Sequence, residues 1–133
     1  MTNKLQNQPE LVQRELKAFA DRVQEILTVG LISIDGLILG LYDKRYSVTI
    51  GEESYAENAI SAMSAAMVSM GERISMELRA GEWEFSVIGG KQGIVISLMV
   101  DPELVISVIA KHGSSVDAIL PELKAACERL NAL

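Results

Sequence analysis

Leu31-Ile32-Ser33-Ile34-Asp35-Gly36-Leu37-Ile38-Leu39 is the stretch on which the fold turns. Two apolar runs flank Asp35-Gly36, the pair favoured in a two-residue type I′ hairpin, where both turn positions need φ > 0. The arms are nearly continuous apolar runs and do not alternate. A strand with one solvated face alternates, so this hairpin predicts a sheet covered by helices on both faces.

Upstream of the hairpin, Pro9 to Leu27 reads as an amphipathic helix. Val12, Leu16, Phe19, Val23 and Ile26 recur at steps of four, three, four and three, which sets them on one stripe. Pro9 suits the first helical turn, where its missing N–H costs nothing. Downstream, Tyr46, Val48 and Ile50 alternate as an extension of the second strand would, whereas Asp43-Lys44-Arg45 reads as a turn. A second helix is predicted from about Ser54 to Leu78, opened by a Ser54/Glu57 capping box. No charged residue occurs from Asn58 to Gly71. Ala59, Met63, Met67, Met70 and Ile74 form one stripe of this helix, and Ala62, Ala65, Ala66 and Ser69 form a small-residue flank. A helix apolar around most of its circumference is buried on two sides. One side can lie on the chain's own sheet; the other calls for a second chain.

The remainder predicts a meander closed by a helix. Trp83, Phe85 and Val87 alternate with Glu82, Glu84 and Ser86, as in a strand with one apolar face. Gly89-Gly90-Lys91-Gln92-Gly93 is a hairpin loop, Ile94 to Val100 a buried strand, and Asp101-Pro102-Glu103 a turn into the strand Leu104 to Ala110. Ile119, Leu120, Leu123, Cys127 and Leu130 share one side of a last helix, which either starts near Asp117 or bends at Pro121. Residues 1–133 thus read as a single domain of the α/β (α+β) class, in the order α-β-β-α-β-β-β-α. The expected architecture is one five-stranded antiparallel sheet with helices on both faces. No linker, low-complexity tract or internal repeat interrupts it.

Composition bounds the function. Of 133 residues, 49% are apolar but only 5% aromatic, so aliphatic residues, Met and Ala must build the core. A formal net charge of −6 argues against nucleic acid as a partner, since a duplex-binding surface is basic. The polar stretch Met1 to Glu10 has no apolar signal region, and no apolar run approaches the ~20 residues of a membrane span. A cytoplasmic protein without membrane insertion is expected.

Catalytic chemistry finds little support. His112 is the only histidine and Cys127 the only cysteine. That excludes a two-histidine metal site, a cysteine zinc cluster and an internal disulfide. His112 reads as a polar strand end before Gly113, and Cys127, at helical spacing on an apolar side, as core. There is no GxxxxGK[ST] phosphate loop, and Gly89, Gly90 and Gly93 do not precede a helix as an anion site requires. No cofactor and no catalytic or metal-ligating residue is assigned.

The element order, the Ile34-Asp35-Gly36-Leu37-Ile38 hairpin and the Ala- and Met-rich helix from Asn58 to Met70 together resemble the roadblock/dynein light-chain family, over about Leu27 to Leu130. The resemblance implies homodimers or heterodimers in which the second helices pair across a two-fold axis. It further implies that the strand after that helix, here Glu82 to Ile88, aligns with its counterpart to continue the sheet. Carried onto this chain, it sets Ala62, Ala66, Met67, Ser69, Met70, Trp83 and Phe85 at the dimer interface. It implies a Ras-like small GTPase as partner, regulated by a protein that is not itself an enzyme. The long Asp43 to Glu53 segment departs from the family's short connection, so no contact surface is carried over there.

Three functions compete. The first is GTPase regulation; in its sharpest form an arginine supplied in trans speeds hydrolysis by ~10³–10⁵. Arg45 is the one arginine on an expected loop, and it reads more simply as surface charge. The second is a structural subunit that dimerises and tethers other proteins without touching nucleotide turnover. The third is a small-ligand sensor with a pocket between sheet and helix, which a scarcity of buried polar residues argues against.

Overall fold

The computed structural model describes residues 4–45 and 50–133, the side chains of 50–58 excepted. Its hairpin is formed by β1 (Ile26–Ser33) and β2 (Ile38–Asp43). The turn is not type I′. Ser33 N–H donates to Leu37 O at 2.8 Å and Gly36 N–H to Ser33 O at 2.9 Å, which closes a loop of three residues. Gly36 has φ +89°, whereas Asp35 keeps an ordinary negative φ. This is a type I turn followed by a left-handed glycine, the common three-residue alternative, which needs one such residue where type I′ needs two. Ser33 Oγ accepts from Leu37 N–H at 3.0 Å and ties the loop down.

The first helix, α1 (Pro9–Arg22), is shorter than its apolar stripe suggested. Val12, Leu16 and Phe19 are fully buried from the helix. Val23 and Ile26 are buried too, but from an extended connection and from β1. The helical spacing ran by coincidence into the start of a strand. Lys44, just after β2, donates its ammonium to the terminal carbonyls of Ala20 (2.6 Å) and Val23 (3.5 Å), a favourable place for a cation.

A short 3-10 turn (Lys4–Asn7) precedes α1, and five further elements follow β2 among the described residues: α2 (Ile50–Glu77), β3 (Phe85–Gly89), β4 (Gly93–Asp101), β5 (Leu104–Lys111) and α3 (Val116–Asn131). The strands lie in the order β2-β1-β5-β4-β3, every neighbouring pair antiparallel. The element order is the one read from the sequence. α2 begins four residues ahead of Ser54, so the Ser54/Glu57 pattern lies inside the helix and does not cap it. The end of the Asp43 to Glu53 segment is therefore helical too. Of the alternation read at Tyr46, Val48 and Ile50, residues 46–49 lie outside the described residues, and Ile50 opens α2. α3 starts one residue before Asp117, capped by Ser115 Oγ accepting from Ala118 N–H at 3.2 Å, and continues through Pro121. Asp117 and Pro121 are both exposed, so water can serve the carbonyl that the proline leaves without a helical donor.

The two faces of the sheet differ. β5 sends Leu104, Ile106 and Val108 into the main core beneath α1 and α3, with Leu16, Phe19, Val29, Ile96, Ile119, Leu123 and Leu130. The core beneath α2 is small: Val68, Trp83 and Val105, with Met99 beside them. Serine and threonine take much of the rest of that face.

Candidate functional site: the outer side of α2 and the β3 edge

α2 lies on the sheet through small residues. Ser64 and Val68 are buried, and Ser61, Gly71 and Ser75 half-buried. Their spacing of three, four, three and four is helical. Ser64 Oγ is 2.8 Å from Ser107 Oγ, which is 2.7 Å from Ser97 Oγ, and the Ser97 hydroxyl lies 3.5 Å from Met67 Sδ as donor. A hydroxyl both donates and accepts, so the chain of serines is satisfied without water. The Ser61 hydroxyl donates to Gly36 O, joining α2 to the hairpin turn. At Gly71 the helix touches Trp83: a Cβ there would sit 2.4 Å from Trp83 Nε1, which itself donates to Ser86 Oγ at 2.8 Å.

The bulk of α2 points the other way. Met63, Met70, Ile74 and Met76 are between 50% and 74% exposed, and Ala62, Ala66 and Ser69 are exposed beside them. The single stripe expected at Ala59, Met63, Met67, Met70 and Ile74 is therefore divided. Met67 is half-buried toward Ser97, while Met63, Met70 and Ile74 face outward together with the small-residue flank. Covering one such side chain is worth about 1.5–3 kcal/mol, so the outward sector is a strong drive to association. Hydropathy hid the true inner line, because serine and glycine score as polar; the periodicity of small residues was the readable signal.

β3 adds an edge. It pairs with β4 from Phe85↔Leu98 to Gly89↔Ile94, and among the described residues no strand pairs with its other side. Phe85, Val87 and Ile88 are 39%, 40% and 53% exposed. No charge, proline or bulge guards this edge, the devices by which solvent-facing edges are usually protected. The strand does not begin at Glu82 as its alternation suggested. Residues 82–84 precede it and turn Trp83 onto the α2 face, whereas Phe85 and Val87 stand opposite Leu98 and Ile96 on the α1/α3 face. Of the interface candidates, Ala62, Ala66, Ser69, Met70 and Phe85 are exposed and Met67 is half-buried. Trp83, 4% exposed, is packed within its own chain.

The remaining candidates are placed as follows. Arg45 Nη2 donates to Thr28 Oγ1 at 3.0 Å, and its guanidinium pairs with Asp43, so the group is engaged by its own chain. His112 is exposed after β5, its Nδ1 3.4 Å from Gly90 O. Cys127 is buried in α3, and desolvation pushes its thiol pKa up to about 12, which keeps it protonated at neutral pH. A cavity of about 190 Å³ does lie between α2 and the sheet, by Met63, Ser64, Ser107 and Ile109. The expected scarcity of buried polar groups is not what this face shows: Thr28, Ser64, Ser97 and Ser107 are all buried on it. Their hydroxyls, however, bond to one another or to Arg45, and the volume falls below the roughly 300–1,000 Å³ of ligand pockets.

Solved structures share this fold. A roadblock domain from Streptomyces avermitilis superposes with a TM-score of 0.77 at 12% identity, covering 90% of this chain and 94% of that one. MglB from Myxococcus xanthus gives 0.76 at 12% identity over 92% and 94% of the two chains. The gliding protein MglB of Thermus thermophilus gives 0.67 at 11% identity over 99% and 92%. Among curated proteins, none matches the sequence. The Roadblock/LC7 domain family matches residues 12–110, from α1 to the end of β5, and the chain belongs to that family.

Proposed function

We propose that the chain is a non-catalytic, cytoplasmic homodimer that regulates a Ras-like small GTPase or scaffolds it. The observation that carries this reading is the outward, charge-free sector of α2 lying alongside the unguarded β3 edge. Both features are self-complementary, as a two-fold interface requires. The seam takes in Ala62, Ala66, Met67, Ser69, Met70 and Phe85, with Trp83 supporting it from beneath. The family resemblance supplies the GTPase; the fold supplies the surface, the outward sector of α2 beside β3, on which such a partner or a second copy would dock.

Binding to a purified Ras-like small GTPase from the same organism is the test. A regulator binds the GDP form and the form loaded with a non-hydrolysable GTP analogue unequally, because a ligand shifts an equilibrium only through differential affinity. It also changes the rate of hydrolysis or exchange. Equal affinities within about twofold, with neither rate altered, leave a structural tether as the better reading.

A further inference from the structure

Charge is divided between the two ends of the β3–β4 hairpin. β3 has five residues and β4 nine, so β4 runs on past the Phe85↔Leu98 pair. This leaves a notch of about 650 Å³ between residues 80–84 and α3. Glu82, Glu84, Asp101 and Glu128 line it against a single cation, Lys124, with Leu98 and Cys127 below. The far end of the hairpin is basic. Lys91 is exposed in the turn that Gly90 N–H closes by donating to Gly93 O at 2.7 Å, and Lys111 stands opposite Gly93 on β5. The strand between, Phe85–Gly89, is uncharged.

A strand edge can pair with its own copy about a two-fold perpendicular to the sheet or along the strand. Only the perpendicular axis keeps both α2 helices on one face, where their outward sectors can cover each other, and it makes the paired strands antiparallel. Cross-strand neighbours share a face, so this axis must pass midway between a residue and its own copy; pairing at least three residues of β3 makes that residue Ser86, Val87 or Ile88. Beyond the ends of the paired strands, the partner's Lys91 turn then falls level with Gly81, Trp83 or Phe85 respectively. In all three registers it lies beside Glu82, Glu84 or both, and the symmetry makes the contact twice.

We propose that the acidic notch receives the partner's Lys91 turn, and that this reciprocal charge contact selects a second copy of this chain over other partners. The proposal rests on the dimer reading above and names the residues that choose the partner. Apolar burial at α2 drives association without discriminating much; charges at the rim of an interface discriminate.

Three variants test it: Lys91→Glu, Glu82→Lys with Glu84→Lys, and all three substitutions combined. Sedimentation should show the first two dimerising about tenfold more weakly than the native chain, since two attractions become two repulsions. The combined variant, its charges exchanged, should recover the native dissociation constant to within about threefold. Mixed together, the first two should form the heterodimer in excess of either homodimer by native mass spectrometry. Native-like dimerisation of both, or a statistical mixture, overturns the charge pairing and leaves the dimer standing. A monomeric native chain overturns the dimer reading and this one with it. If a reversed variant loses its circular dichroism, Lys91→Ala and Glu84→Gln replace it, with the same direction of change expected.

Discussion

Gly71→Ala should destabilise this protein, although alanine is the better helix former. Removing a glycine from a helix interior is ordinarily worth about 1 kcal/mol in favour of the variant. Here the new methyl would lie 2.4 Å from Trp83 Nε1, 2.6 Å from its Cδ1 and 3.0 Å from Ser86 Oγ. Ordinary contact begins at 3.4 Å, so the indole or the helix must withdraw by about 1 Å. The indole has little room, being 4% exposed and packed with Val68, Val105 and Met99. Overpacking of this kind costs about 1–3 kcal/mol. Breaking the Trp83–Ser86 hydrogen bond to relieve it costs about 1 kcal/mol more. The clash outweighs the propensity gain, and a net loss of about 1–3 kcal/mol is expected. Urea unfolding at two protein concentrations separates this loss from any change in association. Trp83 is the only tryptophan, so fluorescence reports on the perturbed site directly. A variant as stable as the native chain, with unchanged emission, would refute the close contact between α2 and Trp83.

Three further outcomes follow from the same geometry. Ser107→Ala removes the middle of the serine chain and leaves Ser64 and Ser97 short of a partner, which should cost about 1–3 kcal/mol in urea unfolding. Ala66→Glu should abolish the proposed dimer by light scattering before it abolishes the fold, through a carboxylate buried unpaired at the seam; a stable dimer in this variant places the seam on another side of α2. Burial holds the Cys127 thiol near 12 against an ordinary 9.0, so the folded state keeps its proton where the unfolded state loses it. Stability should therefore fall as pH rises from about 9 toward 12, and Cys127→Ser should flatten that fall.

Most of the fold was legible because its signals were local and redundant. The Asp35-Gly36 hairpin, the apolar runs of β4 and β5 and the charge-free α2 each name an element, and together they leave few topologies. The errors share a cause: a local pattern extended across a boundary set by tertiary contacts. Val23 and Ile26 keep helical spacing yet belong to the connection and strand that bury them. Ser54 and Glu57 have the spacing of a capping box but fall inside a helix already begun. Trp83 is in phase with Phe85 and Val87 but turns to the opposite face, because the sheet ends there and Gly71 makes a slot for the indole. Among the interface candidates the structure separates the exposed ones from Met67, half-buried, and Trp83, buried within its own chain. The sequence showed that α2 has more apolar surface than one sheet can cover, but not which part stays uncovered.

That last point has a physical answer in the packing of α2. A lone chain would gain by turning Met63 and Met70 onto the sheet and its serines out to water. The observed surface prevents this. Ser61 is held by Gly36 O, the serine chain fixes the rotation about the helix axis, and Gly71 brings the helix too near Trp83 for a larger side chain to pass. Small inward residues give close approach and directional hydrogen bonds; large side chains give neither at that distance. The sheet-facing side of α2 thus defines its orientation, and its hydrophobic stabilisation lies on the opposite side, outside the chain's own core. The arrangement gains its full stabilisation when a second apolar surface covers the methionines. In the dimer proposed above, that surface belongs to a copy of the same chain, paired along the β3 edge with acidic residues before it and Lys91 after.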